Sequence, residues 1–139
     1  MRASDVNAGL YWLKRMLDGG EDPFCILRRL IRFAIEDIGM ADPDALGVIL
    51  NIYKSYEILG SPEGDLGLYQ GVIYLSTAPK SNSVYAAQKK VSSLQENNCS
   101  PPEYALNYSK NYVYDHDLTD AFSGVSYFPK EMDRIKLYD

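Results

Sequence analysis

Apolar side chains recur every three or four positions through residues 4–91, the spacing that lines one face of an α-helix. Three junctions divide this pattern: Gly19-Gly20 before Asp22-Pro23, Gly39 before Asp42-Pro43, and Gly60 before Ser61-Pro62. Glycine accepts the left-handed conformation that ends a helix, Asp or Ser can cap the next helix, and proline fits its first turn. The junctions therefore predict short helices joined by tight turns.

The first three helical segments differ in how much apolar surface they carry. Ser4 can cap the first segment, whose stripe contains Val6, Leu10, Leu13 and Leu17. The second and third segments, residues 24–38 and 45–59, are apolar on more than one stripe. We therefore expect them at the centre of the domain, with surplus apolar surface that a second copy of the chain could cover.

A fourth helix is predicted from Pro62 to about Ser76, and its glycines are unusual. Gly64, Gly67 and Gly71 recur three and four apart, which places them on one face. Each costs up to about 1 kcal/mol relative to alanine in a helix interior. Such a face favours close approach of another backbone, either within the chain or between two copies.

The pattern changes twice after this helix. Ser81 or Asn82 can cap a fifth helix, whose apolar side is formed by Val84, Ala87, Val91 and Leu94. From residue 97 onward the chain is rich in tyrosine and has little helical period. We therefore predict an all-α fold: a bundle of about five short helices that forms an oligomerisation domain over residues 1–96, and an irregular arm over residues 97–139 packed on it.

Composition narrows the possible functions. The 139 residues carry a net charge of −5, which opposes binding to nucleic-acid phosphates. Cys25, Cys99 and the single histidine, His116, lack the spacing of a zinc site. Because no apolar run approaches the roughly 20 residues of a membrane span, and no signal peptide is present, we expect a cytoplasmic protein.

Catalytic motifs are also missing from the sequence. It contains no GxxxxGK[ST] loop to hold nucleotide phosphates. The adjacent acids Glu36 and Asp37 point in different directions on a helix and form no carboxylate pair. A hydrolase that uses His116 and Asp117 would lack a nucleophile motif. We therefore expect no catalytic residue, cofactor or metal in this chain itself.

The densest basic cluster of the helical segments is Arg28, Arg29 and Arg32. These arginines can be solvated or paired with the acidic residues Glu21, Asp22 and Glu36. Alternatively, they can contact an acidic partner or DNA phosphates.

Several short motifs occur in the order found in a known family. They are Ser4-Asp5 with Leu10-Tyr11-Trp12, Gly20-Glu21-Asp22-Pro23, Arg28-Arg29-Leu30, Glu36-Asp37-Ile38-Gly39, Ala41-Asp42-Pro43, Gly60-Ser61-Pro62-Glu63-Gly64, and Ile73-Tyr74-Leu75 with Ala78-Pro79-Lys80-Ser81-Asn82-Ser83-Val84-Tyr85. On these residues the chain resembles the C-terminal domain of the replication-associated recombination protein A family. These AAA+ ATPases include the Mgs-type and the Werner-helicase-interacting ATPases.

The resemblance implies a clamp-loader-like helical collar that assembles the ATPase, as a homotetramer, at stalled replication forks near the nucleoid. It also implies that ATP and magnesium are held by a core preceding Met1, so that Met1 would be an internal residue of a longer protein. Pro79, Lys80 and Asn82, in the most specific motif, are candidate interaction residues beside the arginines and the glycines. The alternative function is a docking module for DNA or for a replication protein such as single-strand-binding protein.

The missing phosphate loop gives the first testable prediction. The isolated chain should neither bind nor hydrolyse ATP, because no backbone cradle for the phosphates exists in its sequence. Isothermal titration calorimetry with ATP and Mg²⁺ measures this, and stoichiometric binding at micromolar affinity would contradict it.

Overall fold

The computed structural model describes residues 1–95 and 99–139, and in these ranges its regular secondary structure is helical, without a β-strand. Its α-helices are α1 (Val6–Asp18), α2 (Pro23–Phe33), α3 (Asp44–Leu59), α4 (Asp65–Thr77) and α5 (Ser83–Ser92). A π-helical turn, Ala34–Ile38, extends α2, and a short 3-10 turn, Gly39–Ala41, follows it. The predicted all-α class is confirmed.

The two compact units of the chain are residues 1–90 with 138–139, and residues 91–137. The second unit contains 3-10 turns at Glu103–Ala105, Asp115–Asp117 and Thr119–Ala121. It has the irregular backbone expected of the tyrosine-rich arm. The expected boundary between residues 96 and 97 lies outside the described residues, and packing of the arm on the helices stays a prediction.

Glycine ends the helices at the three junctions, as the sequence predicts. Gly20, Gly39 and Gly60 have φ of +81°, +50° and +66°, which L side chains rarely adopt. Asp22 caps α2, because its Oδ1 accepts a hydrogen bond of 3.0 Å from the Phe24 N–H. Asp42 likewise accepts a bond of 3.2 Å from the Asp44 N–H. The Asp22 cap is therefore confirmed, whereas Pro43 rather than Asp42 stands at the N-cap position of α3.

Two predicted helix starts are wrong. α1 is capped by Asp5, whose Oδ1 accepts from the Ala8 N–H at 2.9 Å, whereas Ser4 has a φ of +55° and precedes the cap. α4 begins at Asp65 rather than Pro62, and the Ser61–Pro62 peptide bond is cis. The Ser61 hydroxyl donates to the Asp65 carboxylate at 3.0 Å and so does not cap a backbone N–H.

The core of the first unit lies around α4. Five of the most completely buried side chains are aliphatic and come from α2, the π turn, α3 and α4: Leu27, Ile38, Ile49, Leu68 and Leu75. Full burial of each contributes roughly 1.5–3 kcal/mol. α2 and α3 supply much of this core, as predicted, but α4 packs against all of α1, α2 and α3.

The expected inward side of α5 is the main correction to the fold. None of its residues is buried, and Val84 and Val91 are 37% and 50% exposed. Leu94 lies beyond the end of the helix. An amphipathic pattern shows which side of a helix can pack against another element, but it does not show that an element covers that side. The prediction that these valines face the core is therefore wrong.

The cap on α2 predicts a measurable stability change. Asp22→Ala should lower the free energy of unfolding by about 0.5–2 kcal/mol, because the Phe24 N–H loses its acceptor. Urea denaturation followed by circular dichroism measures the loss. Glu21→Ala is the matched control, since the neighbouring Glu21 side chain is exposed and serves as no cap. Equal stability of the two variants would contradict the cap.

Candidate partner-binding surfaces

The three arginines on α2 all have exposed side chains. Arg32 forms an ion pair with Glu36 at 2.8 Å, one helical turn further on. Arg28 and Arg29 form no ion pair with any residue that the structure describes. Pairing with Glu21 or Asp22 is therefore not observed, and pairing with Glu36 holds for Arg32 alone.

Arg2 lies against the adjacent acids Glu36 and Asp37 at the π turn. Its Nε is 2.6 Å from Asp37 Oδ1, and one terminal nitrogen is 3.4 Å from Glu36 Oε1. The hydrogen bond to Asp37 is the main cause that raises the pKa of the Arg2 guanidinium. These acids thus act in an ion-pair network rather than as an acid–base pair. The sequence gives no periodic signal for Arg2, which precedes the first helix.

A groove of about 700 Å³ runs between α1 and α2. Leu13, Leu30 and Phe33 contribute to its apolar lining, and Arg29 and Trp12 line it as well. Trp12 is 62% exposed, although it is one of the largest apolar side chains of the chain. Sequence periodicity leaves Trp12 beside the apolar stripe of α1 and does not identify it as a surface residue.

A second, smaller groove of about 380 Å³ lies between α2 and α5. Arg28 lines this groove together with Ile31, Ile35, Val84 and Tyr85. The consecutive residues Arg28 and Arg29 therefore line different grooves. Arg32 lines both.

The candidate glycines Gly64, at the N-cap of α4, and Gly67 and Gly71, within α4, pack against residues of the same chain. A Cβ built on Gly71 would lie 3.2 Å from Leu30 Cδ1 and 3.3 Å from Ile49 Cδ1. A Cβ on Gly67 would lie 3.1 Å from Ile52 Cγ2, and one on Gly64 would collide with the Gly60 carbonyl oxygen at 2.6 Å. This geometry favours the intramolecular alternative for the glycine face.

The candidate residues Pro79, Lys80 and Asn82 lie in the turn between α4 and α5. Lys80 Nζ donates to the Ser76 and Ala78 carbonyl oxygens, both at 2.7 Å, and so gives hydrogen-bond donors to backbone carbonyls at the C-terminal end of α4. The Asn82 carbonyl accepts from the Ala86 N–H at 2.9 Å at the start of α5. Pro79 is exposed. Lys80 and Asn82 therefore have structural hydrogen bonds in this turn.

Few groups in the described residues suit metal or acid–base chemistry. No cluster of three or more potential metal ligands occurs in residues 1–95 and 99–139. His116 is exposed and lies against Tyr114, with ring centroids 5.2 Å apart. None of the described helices has the length and apolar character that crossing a membrane requires.

Comparison with known proteins gives consistent matches. A family model described as MgsA AAA+ ATPase C terminal matches residues 3–139. The chain is 44% identical to replication-associated recombination protein A of Coxiella burnetii, over 95% of this chain and 33% of the relative. It is 33% identical to the protein of that name in Escherichia coli K12, over 99% of this chain and 34% of the relative.

A eukaryotic relative, ATPase WRNIP1 of Dictyostelium discoideum, is 33% identical over the whole of this chain and 17% of its own length. The chain thus spans about a third of the bacterial relatives named here and a smaller share of this one.

The glycine contacts predict opposite effects for two matched substitutions. Gly71→Leu should destabilise the chain by roughly 1–3 kcal/mol, because α3 and α2 leave no room for the added carbons. Gly47→Leu, where a Cβ would meet nothing within 4 Å, should be neutral or stabilising by up to about 1 kcal/mol. Thermal unfolding distinguishes them. A Gly71→Leu chain with unchanged melting but a smaller mass in solution would place this face between copies instead.

Proposed function

Because this chain belongs to the family of MgsA AAA+ ATPase C-terminal domains, we propose that it assembles copies of a longer AAA+ ATPase that acts in replication-associated recombination. The family resemblance identified from the sequence motifs is confirmed by these matches. The proposed assembly is a homotetramer, in which the helical unit acts as a clamp-loader-like collar.

The observation that carries this proposal is an apolar end of the α3–α4 hairpin. Ile58 and Leu59 end α3, and Leu66 is in the first turn of α4, with only residues 60–64 between the helices. Their side chains are 73%, 56% and 75% exposed. Single exposed apolar residues are ordinary, but a group of large aliphatic side chains at one end of a hairpin is typical of an interaction surface.

The exposed surface continues along α4. Ile73 is 44% exposed and lies seven residues after Leu66, so that both side chains fall on the same side of the helix two turns apart. This side points away from Gly67 and Gly71, which pack on α3. The glycine side of α4 can therefore pack within the monomer, while the side with Leu66 and Ile73 can contact a second copy. Symmetric association of identical chains requires such an exposed surface on each copy.

We assign the other activities of the family to the longer protein and not to this chain. ATP and Mg²⁺ would be held by the AAA+ part, and contacts with DNA or other replication proteins would be made by the assembled protein at forks in the cytoplasm. In support, the two bacterial relatives are about three times as long as the chain, and the Dictyostelium relative, which is named as an ATPase, is about six times as long.

Substitution at the hairpin end tests the assembly. Leu66→Glu should leave the helix content unchanged, because Leu66 is exposed, and should shift the mass from about four times 15.7 kDa towards a single chain. Size-exclusion chromatography with light scattering measures the mass.

Leu50→Glu is the control for this experiment. Leu50 is a leucine of α3 that is 47% exposed and lies eight residues before Ile58, about 12 Å along the helix axis. It should keep the wild-type mass. Equal dissociation of both variants, or of neither, would count against the hairpin end as the contact.

A further inference from the structure

The hairpin end, formed by Ile58, Leu59 and Leu66, is by itself one contact surface on each copy. A surface that meets only its own counterpart across a twofold axis links two identical chains and no more. An assembly of four chains therefore needs a further surface. This is either a second twofold contact or a different surface that receives the hairpin end of a neighbouring copy.

The groove between α2 and α5 leaves apolar side chains accessible. Ile35, Val84 and Tyr85 line it and are 47%, 37% and 41% exposed, in contrast to the nearly buried side chains of the core. Its volume of about 380 Å³ lies within the range of roughly 300–1,000 Å³ that is usual for binding clefts. A few aliphatic side chains of another copy can therefore enter this groove and cover its lining.

The α5 wall of this groove begins at the opposite end of α4 from the hairpin end. The Ser81 N–H donates to the Asp37 carbonyl oxygen at 2.9 Å, which holds the start of α5 at the π turn, four residues after the last residue of α4. Leu66 is in the first turn of α4, about 16 Å before Thr77 along the helix axis. Each copy thus carries two separate surfaces, as head-to-tail contacts between copies require.

Charge distinguishes the two ways in which the hairpin end can be covered. Glu63, in the hairpin loop, is exposed and forms no ion pair with a described residue. Contact between two hairpin ends would bring the Glu63 carboxylates of both copies close, and juxtaposed like charges oppose association. Arg28, which lines the groove between α2 and α5, is exposed and has no ion pair in the described part of the chain. The groove therefore complements the hairpin end in charge and in apolar surface.

We propose that the hairpin end of one copy binds in the groove between α2 and α5 of the next copy, with Glu63 against Arg28. This inference rests on the function proposed above and specifies its contact as head-to-tail. Such contacts close into a ring when the rotation between successive copies divides a full turn, which suits the proposed collar. Arginine binds carboxylates through paired N–H donors, which adds geometric specificity to the apolar contact.

Mixing two dissociated variants tests the head-to-tail contact. Leu66→Glu disrupts the hairpin end but keeps the groove, whereas Val84→Glu places a charge in the groove but keeps the hairpin end. Both residues are exposed, so that both variants should retain the wild-type circular dichroism. Each variant alone should have the mass of one chain. An equimolar mixture should reach about twice 15.7 kDa in light scattering, because one intact contact remains between the two variants.

Val91→Glu is the matched control, since Val91 is a 50% exposed valine of α5 that lines neither groove. It should keep the wild-type mass. If Val84→Glu keeps the wild-type mass while Leu66→Glu dissociates, the head-to-tail contact is overturned and the assembly through the hairpin end stands. A mixture that stays at the mass of one chain would also overturn the head-to-tail contact. A wild-type chain with the mass of one chain would contradict the assembly and this contact together.

Exchange of charges tests the ion pair between copies. Arg28→Glu should raise the dissociation constant of the assembly about fivefold, as expected for loss of an exposed ion pair, and Glu63→Arg in the same chain should restore it. Arg29→Glu is the matched control, because Arg29 lines the other groove, and it should gain nothing from Glu63→Arg. Light scattering over a range of concentrations measures these constants. Equal rescue of both arginine variants, or rescue of neither, would overturn the pairing of Glu63 with Arg28.

Discussion

Close packing of three helices against α4 is the constraint on which the first unit depends. α1, α2 and α3 all contact this helix, and Leu68, Leu75 and Ser76 are completely buried in it. Such contacts need small residues where backbones approach, and the chain supplies them on both partners. Gly71 faces α2 and α3, while Gly9 of α1 faces α4, where a Cβ would lie 3.0 Å from Val72 Cγ1. The glycines that weaken α4 as an isolated helix thus permit its central position.

The two candidate surfaces follow from this arrangement. α1 and α2 are both packed on α4, and a groove remains between these two helices. Because α4 uses its glycine side for α3, its opposite side, with Leu66 and Ile73, remains exposed. α4 therefore fixes the first unit through one side and leaves exposed, on the other, the surface proposed for self-association.

Much of this fold could be predicted from local sequence, because the junctions rest on short-range chemistry. Positive φ at Gly20, Gly39 and Gly60 and the cap at Asp22 require only residues close in the chain. The start of α1 was misassigned because Ser4 and Asp5 are both competent caps, and only backbone conformation distinguishes them. Long-range features had no local signal: the Arg2 ion pair with Asp37 spans 35 positions. The apolar side of α5 was predictable from its pattern, but the exposure of Val84 and Val91 on that side was not.

The arginine cluster illustrates the same limit at the candidate site. Helical spacing places Arg28, Arg29 and Arg32 near one another, yet the consecutive residues Arg28 and Arg29 line different grooves because α1 and α5 flank α2 on opposite sides.

The function proposed for the chain depends above all on whether it assembles. Sedimentation equilibrium of the wild-type chain over a hundredfold range of concentration tests this most directly. The account predicts a mass approaching four times 15.7 kDa at the upper end, and a mass of one chain at every concentration would contradict it.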